Sequence, residues 1–101
     1  MPAPFRLIFT TKAAEQLQSL EANPALEKRL KAVRKALGHL QADPNRPGLN
    51  VHPFKGIPCP HGSTLFEAYA QNNTPGAYRI FFCHDPAQRG AILIVAITPH
   101  P

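Results

Sequence analysis

Seven consecutive apolar residues, Ala91-Ile92-Leu93-Ile94-Val95-Ala96-Ile97, constrain the fold of this chain more than any other feature. The run is about a third of the roughly 20 residues that a membrane-spanning helix requires. A strand that is apolar on both sides must be covered on both sides, so this one predicts the centre of a sheet. Three further β-rich runs precede it: 49–54, 64–70 and 78–83. Turn-forming segments separate them, namely a Pro, Cys, His and Gly loop at 57–62, Asn72-Asn73-Thr74-Pro75-Gly76, and the loop 85–90. Strands this close in sequence pair as a meander.

The first half of the chain reads differently. Phe5-Arg6-Leu7-Ile8-Phe9 is a short strand ending at Thr10-Thr11, which can cap a helix carrying Ala13, Leu17 and Leu20 on one side. Asn23-Pro24 ends that helix and starts a second, Asn as cap and Pro in its first turn. Leu26, Leu30, Val33, Leu37 and Leu40 step by four, three, four and three residues, the spacing of one buried helix face. Gly38 either ends this helix early or weakens its last turn. Asp43-Pro44-Asn45-Arg46-Pro47-Gly48 is the switch from helix to sheet. The order is strand, helical hairpin, then a four-strand meander: an α+β fold with an antiparallel sheet and two helices packed on one face. Residues 1–101 form a single domain.

Eleven Lys and Arg oppose six Asp and Glu, and the net charge of +5 favours polyanions or an acidic protein partner. The first residues lack the apolar core and cleavage site of a secretion signal, so the chain is read as cytoplasmic, with no membrane partner. In that compartment Cys59 and Cys83 are expected as thiols packed in the interior.

Three stretches carry a resemblance. FRLIFTTKAAEQLQSL (5–20) looks like an opening strand and first helix, and Phe54-Lys55-Gly56 like an apolar, lysine, glycine step. Gly76-Ala77-Tyr78-Arg79-Ile80-Phe81-Phe82 is similar to a glycine, tyrosine, arginine, apolar strand. In element order and in these marks the chain resembles the RelE/ParE toxin superfamily of bacterial toxin-antitoxin pairs. The resemblance implies a type II toxin: a metal-independent, ribosome-dependent mRNA endoribonuclease that needs no cofactor, held by an antitoxin with an acidic amphipathic segment. It also admits a non-catalytic toxin that binds DNA gyrase, or a domesticated relative that only binds a partner.

In such ribonucleases the 2'-hydroxyl attacks the adjacent phosphate, which calls for a base, a leaving-group acid and cations on the transition state. Arg79, on the similar strand, is the candidate cation, with a cross-strand ion pair to Glu67 as its structural alternative. His100, after Ile97-Thr98-Pro99 and before Pro101, stands where such toxins often carry a catalytic side chain and is the candidate acid or base, against a frayed terminal residue. Lys55 is the candidate phosphate ligand, against an ordinary surface lysine. Lys12, Lys28, Lys31, Lys35 and Arg89 are candidate RNA-binding cations, although a basic helix face is commonly only solvated. The family's second basic residue near Lys55 and its late arginine are missing here, which raises the gyrase reading, while His52, His61 and His84 are substitutes if not incidental. Cys59, His61, Cys83 and His84 are ligand types that zinc uses, on loops at the same end of a meander, but their spacing departs from common zinc sites. No GxGxxG or phosphate-loop motif occurs, and no carboxylate cluster suited to two metals is evident.

Overall fold

A computed structural model describes residues 5–72 and 74–100. The readings that involve Met1 to Pro4, Asn73 and Pro101 fall outside these. Strand β1 (Arg6–Phe9) leads into α1 (Thr11–Ala22), a 3-10 turn (Pro24–Leu26) and α2 (Glu27–Ala42). A second 3-10 turn (Pro47–Leu49) precedes β2 (His52–Pro53), β3 (Phe66–Tyr69), β4 (Tyr78–His84) and β5 (Ala91–Pro99). Thr10 caps α1 by accepting from Ala13 N–H, and Asn23 caps the following turn by accepting from Ala25 N–H. Gly38 lies inside α2, which runs on to Ala42 because Leu37 and Leu40 are held in the core. Among the described residues, no helix is long and apolar enough to cross a membrane.

The sheet order is β1-β5-β4-β3-β2, so the run 91–97 does lie inside the sheet, between β1 and β4. The meander β2 to β5 is antiparallel as expected. β1 joins it parallel to β5, so the sheet is mixed. The segment expected as a strand over 49–54 keeps only two paired residues. Pro47 and Gly48 enter the 3-10 turn, and Asn50 adopts the left-handed region that Asn tolerates. Pro53 has no N–H for a longer ladder.

The helices cover one face of the sheet. Leu20, Val33, Leu37 and Leu40 meet Ala68, Ile80, Phe82, Ile92, Ile94 and Ile97 there. On the opposite face, Phe81, Cys83, Leu93 and Val95 are covered by the loop between β2 and β3 through Phe54, Ile57, Cys59 and Leu65. A disulfide between Cys59 and Cys83, with Cα atoms 6.3 Å apart, ties this loop to β4. The expected free thiols are therefore corrected: alternation along β4 turns Cys83 to the face that the loop must cover, and Cys59 is the loop residue above it.

Candidate active site

At one end of that second face the polar side chains gather. Glu67 pairs with Phe81 and Tyr69 with Arg79 across β3 and β4, so strand alternation points all four away from the helices. His52 pairs with Glu67 across β2 and β3. His100 lies two residues beyond Thr98, which pairs with Arg79, and the His100 N–H donates to the Ala77 carbonyl at 3.0 Å.

Glu67 is the hub. Only 1% of its side chain is exposed, and a buried carboxylate is costly unless hydrogen-bonded and charge-balanced. His52 Nε2 donates to Oε1 at 2.7 Å, His100 Nδ1 donates to Oε2 at 2.5 Å, and Arg79 Nε lies 3.7 Å from Oε2. The other His52 nitrogen, Nδ1, lies 2.7 Å from the carbonyl of Asn50, so both of its ring nitrogens are engaged. His100 differs. With Nδ1–H spent on Glu67 and 48% of the side chain exposed, its Nε2 is the free atom. A carboxylate behind an imidazole fixes its tautomer and steadies the positive charge it acquires on taking a proton.

Arg79 is nearly buried, its guanidinium carbon 3.7 Å from the centroid of the Tyr69 ring. Nη1 donates to the carbonyls of Gln71 at 2.6 Å and Tyr78 at 3.3 Å, while Nε is buried without a hydrogen-bond partner among the described residues. An unpaired buried donor costs about 1–3 kcal/mol. The guanidinium is thus held in place through Nη1 and Tyr69, with its buried Nε turned toward the Glu67 carboxylate beyond hydrogen-bond distance. Phe54 completes the surround, its ring 4.9 Å from that of Phe81 and 6.5 Å from that of His100.

Of the sequence candidates, Arg79 and His100 meet on Glu67. The ion pair with Glu67 and an anion-binding role, set against each other above, turn out to be compatible. Lys55 is exposed on the loop after Phe54 and makes no ion pair among the described residues. Lys12 belongs to α1, and Lys28, Lys31 and Lys35 to α2, in the layer behind the sheet; Lys31 pairs with Glu27 at 3.4 Å. Arg89 lies between β4 and β5, at the end of that hairpin opposite to Arg79. Sequence reasoning treated Glu67 only as a partner for Arg79, and His52 only as a substitute. The signal for both was the pairing of His52 with Glu67, which needs the register of a two-residue strand.

The residues considered for zinc do not form one site. The two cysteines are joined, and His61 Nε2 lies 3.7 Å from Asp85. The His84 ring packs against Phe5, Phe66 and Phe82 on the helix side, the opposite face from Cys83.

No family model matches this chain, and no curated protein sequence does. Among solved structures it is similar to the YoeB dimer from Staphylococcus aureus, with a TM-score of 0.65 and 17% identity over 98% of this chain and 100% of that one. The chain has a RelE/YoeB-like fold, as the resemblance implied.

Proposed function

We propose that this chain is the toxin of a type II toxin-antitoxin pair and that it cleaves mRNA at the Glu67 cluster, on the ribosome, without a metal. One observation carries the reading: a single buried carboxylate is shared by two histidines and an arginine at one end of the sheet. His100 also presents its Nε2 away from that carboxylate on a half-exposed side chain, where a substrate proton could be taken. In the proposed reaction His100 Nε2 takes the proton of the 2'-hydroxyl, and the 2'-oxygen forms a bond to phosphorus. The bond from phosphorus to the 5'-oxygen breaks, that oxygen takes a proton from water, and His100 gives up its own to solvent afterwards. A 2',3'-cyclic phosphate and a 5'-hydroxyl remain. Arg79 balances charge building on the phosphoryl oxygens, where a fixed guanidinium needs little reorganisation. Lys55 binds phosphate, Glu67 holds His100 in its tautomer, and His52 holds Glu67.

The net charge of +5 suits an antitoxin with an acidic amphipathic segment lying over this surface. The test is induction of the wild type, His100→Ala and the Arg79→Ala, His100→Ala double variant in bacteria, following growth and mapping mRNA 5' ends. Growth arrest with new cleavage sites, both lost in His100→Ala, supports the reading. Arrest that persists in the variants without new ends overturns it in favour of a gyrase-type target, and no arrest from any of them favours a domesticated binding protein.

A further inference from the structure

Away from the Glu67 cluster, a cleft of about 410 Å³ opens between α2, the Pro47–Leu49 turn and the end of β3. Its basic side chains are Lys35, His39 and Arg46, and no carboxylate lines it. Lys35 and His39 are four residues apart on α2 and so share one helix face. Arg46 approaches from the turn side, and none of the three has an ion-pair partner among the described residues. Partial burial, and after it the positive charges of Arg46 and Lys35, hold the His39 imidazole below its ordinary pKa. Like charges converging without a counterion cost stability, and an anion between them would remove that cost.

Tyr69 links this cleft to the candidate site. It lines the cleft, its ring lies under the Arg79 guanidinium, and it meets His52 edge-on with centroids 5.7 Å apart. β2 pairs with β3 through Phe66 and Glu67, and beyond that pairing the Pro47–Leu49 turn packs against β3, with Tyr69 at the edge of the sheet.

We propose that the cleft of Lys35, His39 and Arg46 is a second phosphate subsite, which holds the RNA backbone at a nucleotide away from the cut while the strand passes over Tyr69. The inference rests on the ribonuclease reading of the Glu67 cluster, and it deepens that reading by making the substrate a strand several nucleotides long. RNA is favoured over an acidic peptide because a polymer cut at Arg79 must continue past Tyr69, and repeated phosphates meet separated cations along one path. Asn72, also on the cleft, offers an amide to the sugar or base.

The experiment uses fluorescent 2'-O-methyl oligoribonucleotides, in which the attacking hydroxyl is blocked, as dinucleotides and octanucleotides. Binding to the wild type and to a Lys35→Gln, Arg46→Gln variant is followed by anisotropy over a series of salt concentrations. Both replaced side chains are exposed, and circular dichroism checks that the variant folds. The expected result is an octanucleotide affinity about tenfold weaker in the variant and a log-log salt slope shallower by about 1.4, the share of two phosphate contacts on a single strand. Dinucleotide binding should not change. Equal octanucleotide affinity and slope in the two proteins overturns the proposal, as does a wild type that binds neither oligonucleotide. A loss confined to binding of a polyglutamate peptide also overturns it and assigns the cleft to an acidic protein. Because no cleavage is read, absence of ribonuclease activity in cells would sink the catalytic reading without being mistaken for failure of this one.

Discussion

Replacing Glu67 by Gln keeps the shape of the side chain and removes its charge, and the structure sets what this should do. The carboxylate accepts from His52 at 2.7 Å and from His100 at 2.5 Å, and it lies 3.7 Å from the buried Nε of Arg79. An amide has one oxygen, so it can replace one of the two accepted bonds, while its NH2 faces a donor. One hydrogen bond to a charged group is lost, about 1.5–3 kcal/mol. Arg79 is also left without its counter-charge, for which buried pairs give about 3–5 kcal/mol. These losses overlap, and both histidines are about half exposed, so solvent screens part of them. The expected destabilisation is about 3 kcal/mol, read as a lower urea midpoint at unchanged slope. RNA cleavage should fall by about 10²–10⁴, because the tautomer of His100 is no longer fixed. His100→Ala should lose as much activity with far less stability, and the double variant should be little slower than the worse single one, since the residues act as a unit. If Glu67→Gln unfolds at the wild-type midpoint, or if the two activity losses multiply, the account of Glu67 as the hub is wrong.

Three other outcomes follow from the geometry. By NMR titration the His39 imidazole should titrate below its ordinary value of 6.5, because of partial burial and then Arg46 and Lys35, and Arg46→Gln should move it upward. Since the folded value is the lower one, His39 is neutral in both states above about pH 6.5 and contributes nothing there; below that the unfolded chain binds the proton more readily and stability falls. Replacing Cys59 and Cys83 by Ser opens a loop with a sequence separation of 24, and chain entropy puts the loss at about 3.5 kcal/mol, measured by urea unfolding against the oxidised wild type. Gly56→Ala would bring a methyl group to 2.6 Å from the Phe54 ring, so that ring must turn away from Phe81 and His100; a cost of about 1–3 kcal/mol is expected, and an unchanged midpoint would contradict the packing.

The fold was legible where one periodicity dominates. The α2 stripe is such a place: Leu26, Leu30, Val33, Leu37 and Leu40 can all meet a core only from a helix, and all pack there. The apolar run of β5 is another, since it needs cover on both faces, which the helices give on one and the loop between β2 and β3 on the other. The direction of β1 was not legible. Phe5 to Phe9 offers the same apolar pattern to a parallel or an antiparallel neighbour, and the choice is made by how the helical hairpin returns the chain. Nor was the shortness of β2, where Pro53 and the left-handed Asn50 break the ladder that β-rich composition suggests.

The candidate site was half legible, for a reason that bears on its chemistry. Arg79 and His100 announce themselves through residue type and position, whereas Glu67 lies in an ordinary run, Leu65-Phe66-Glu67-Ala68-Tyr69. On a half-solvated strand that carboxylate would be a surface residue, and only the cross-strand register makes it buried. The same register brings His52 onto one of its oxygens, while the turn after β5 brings His100 onto the other. Burial and partnership are thus coupled: without the histidines and Arg79 the carboxylate could not remain charged inside, and without the carboxylate Arg79 would be a nearly buried cation with no counter-charge. A group of this kind is assembled by the sheet as a whole, and among the described residues folding leaves His100 Nε2 free while the Nε of Arg79 is buried against Glu67.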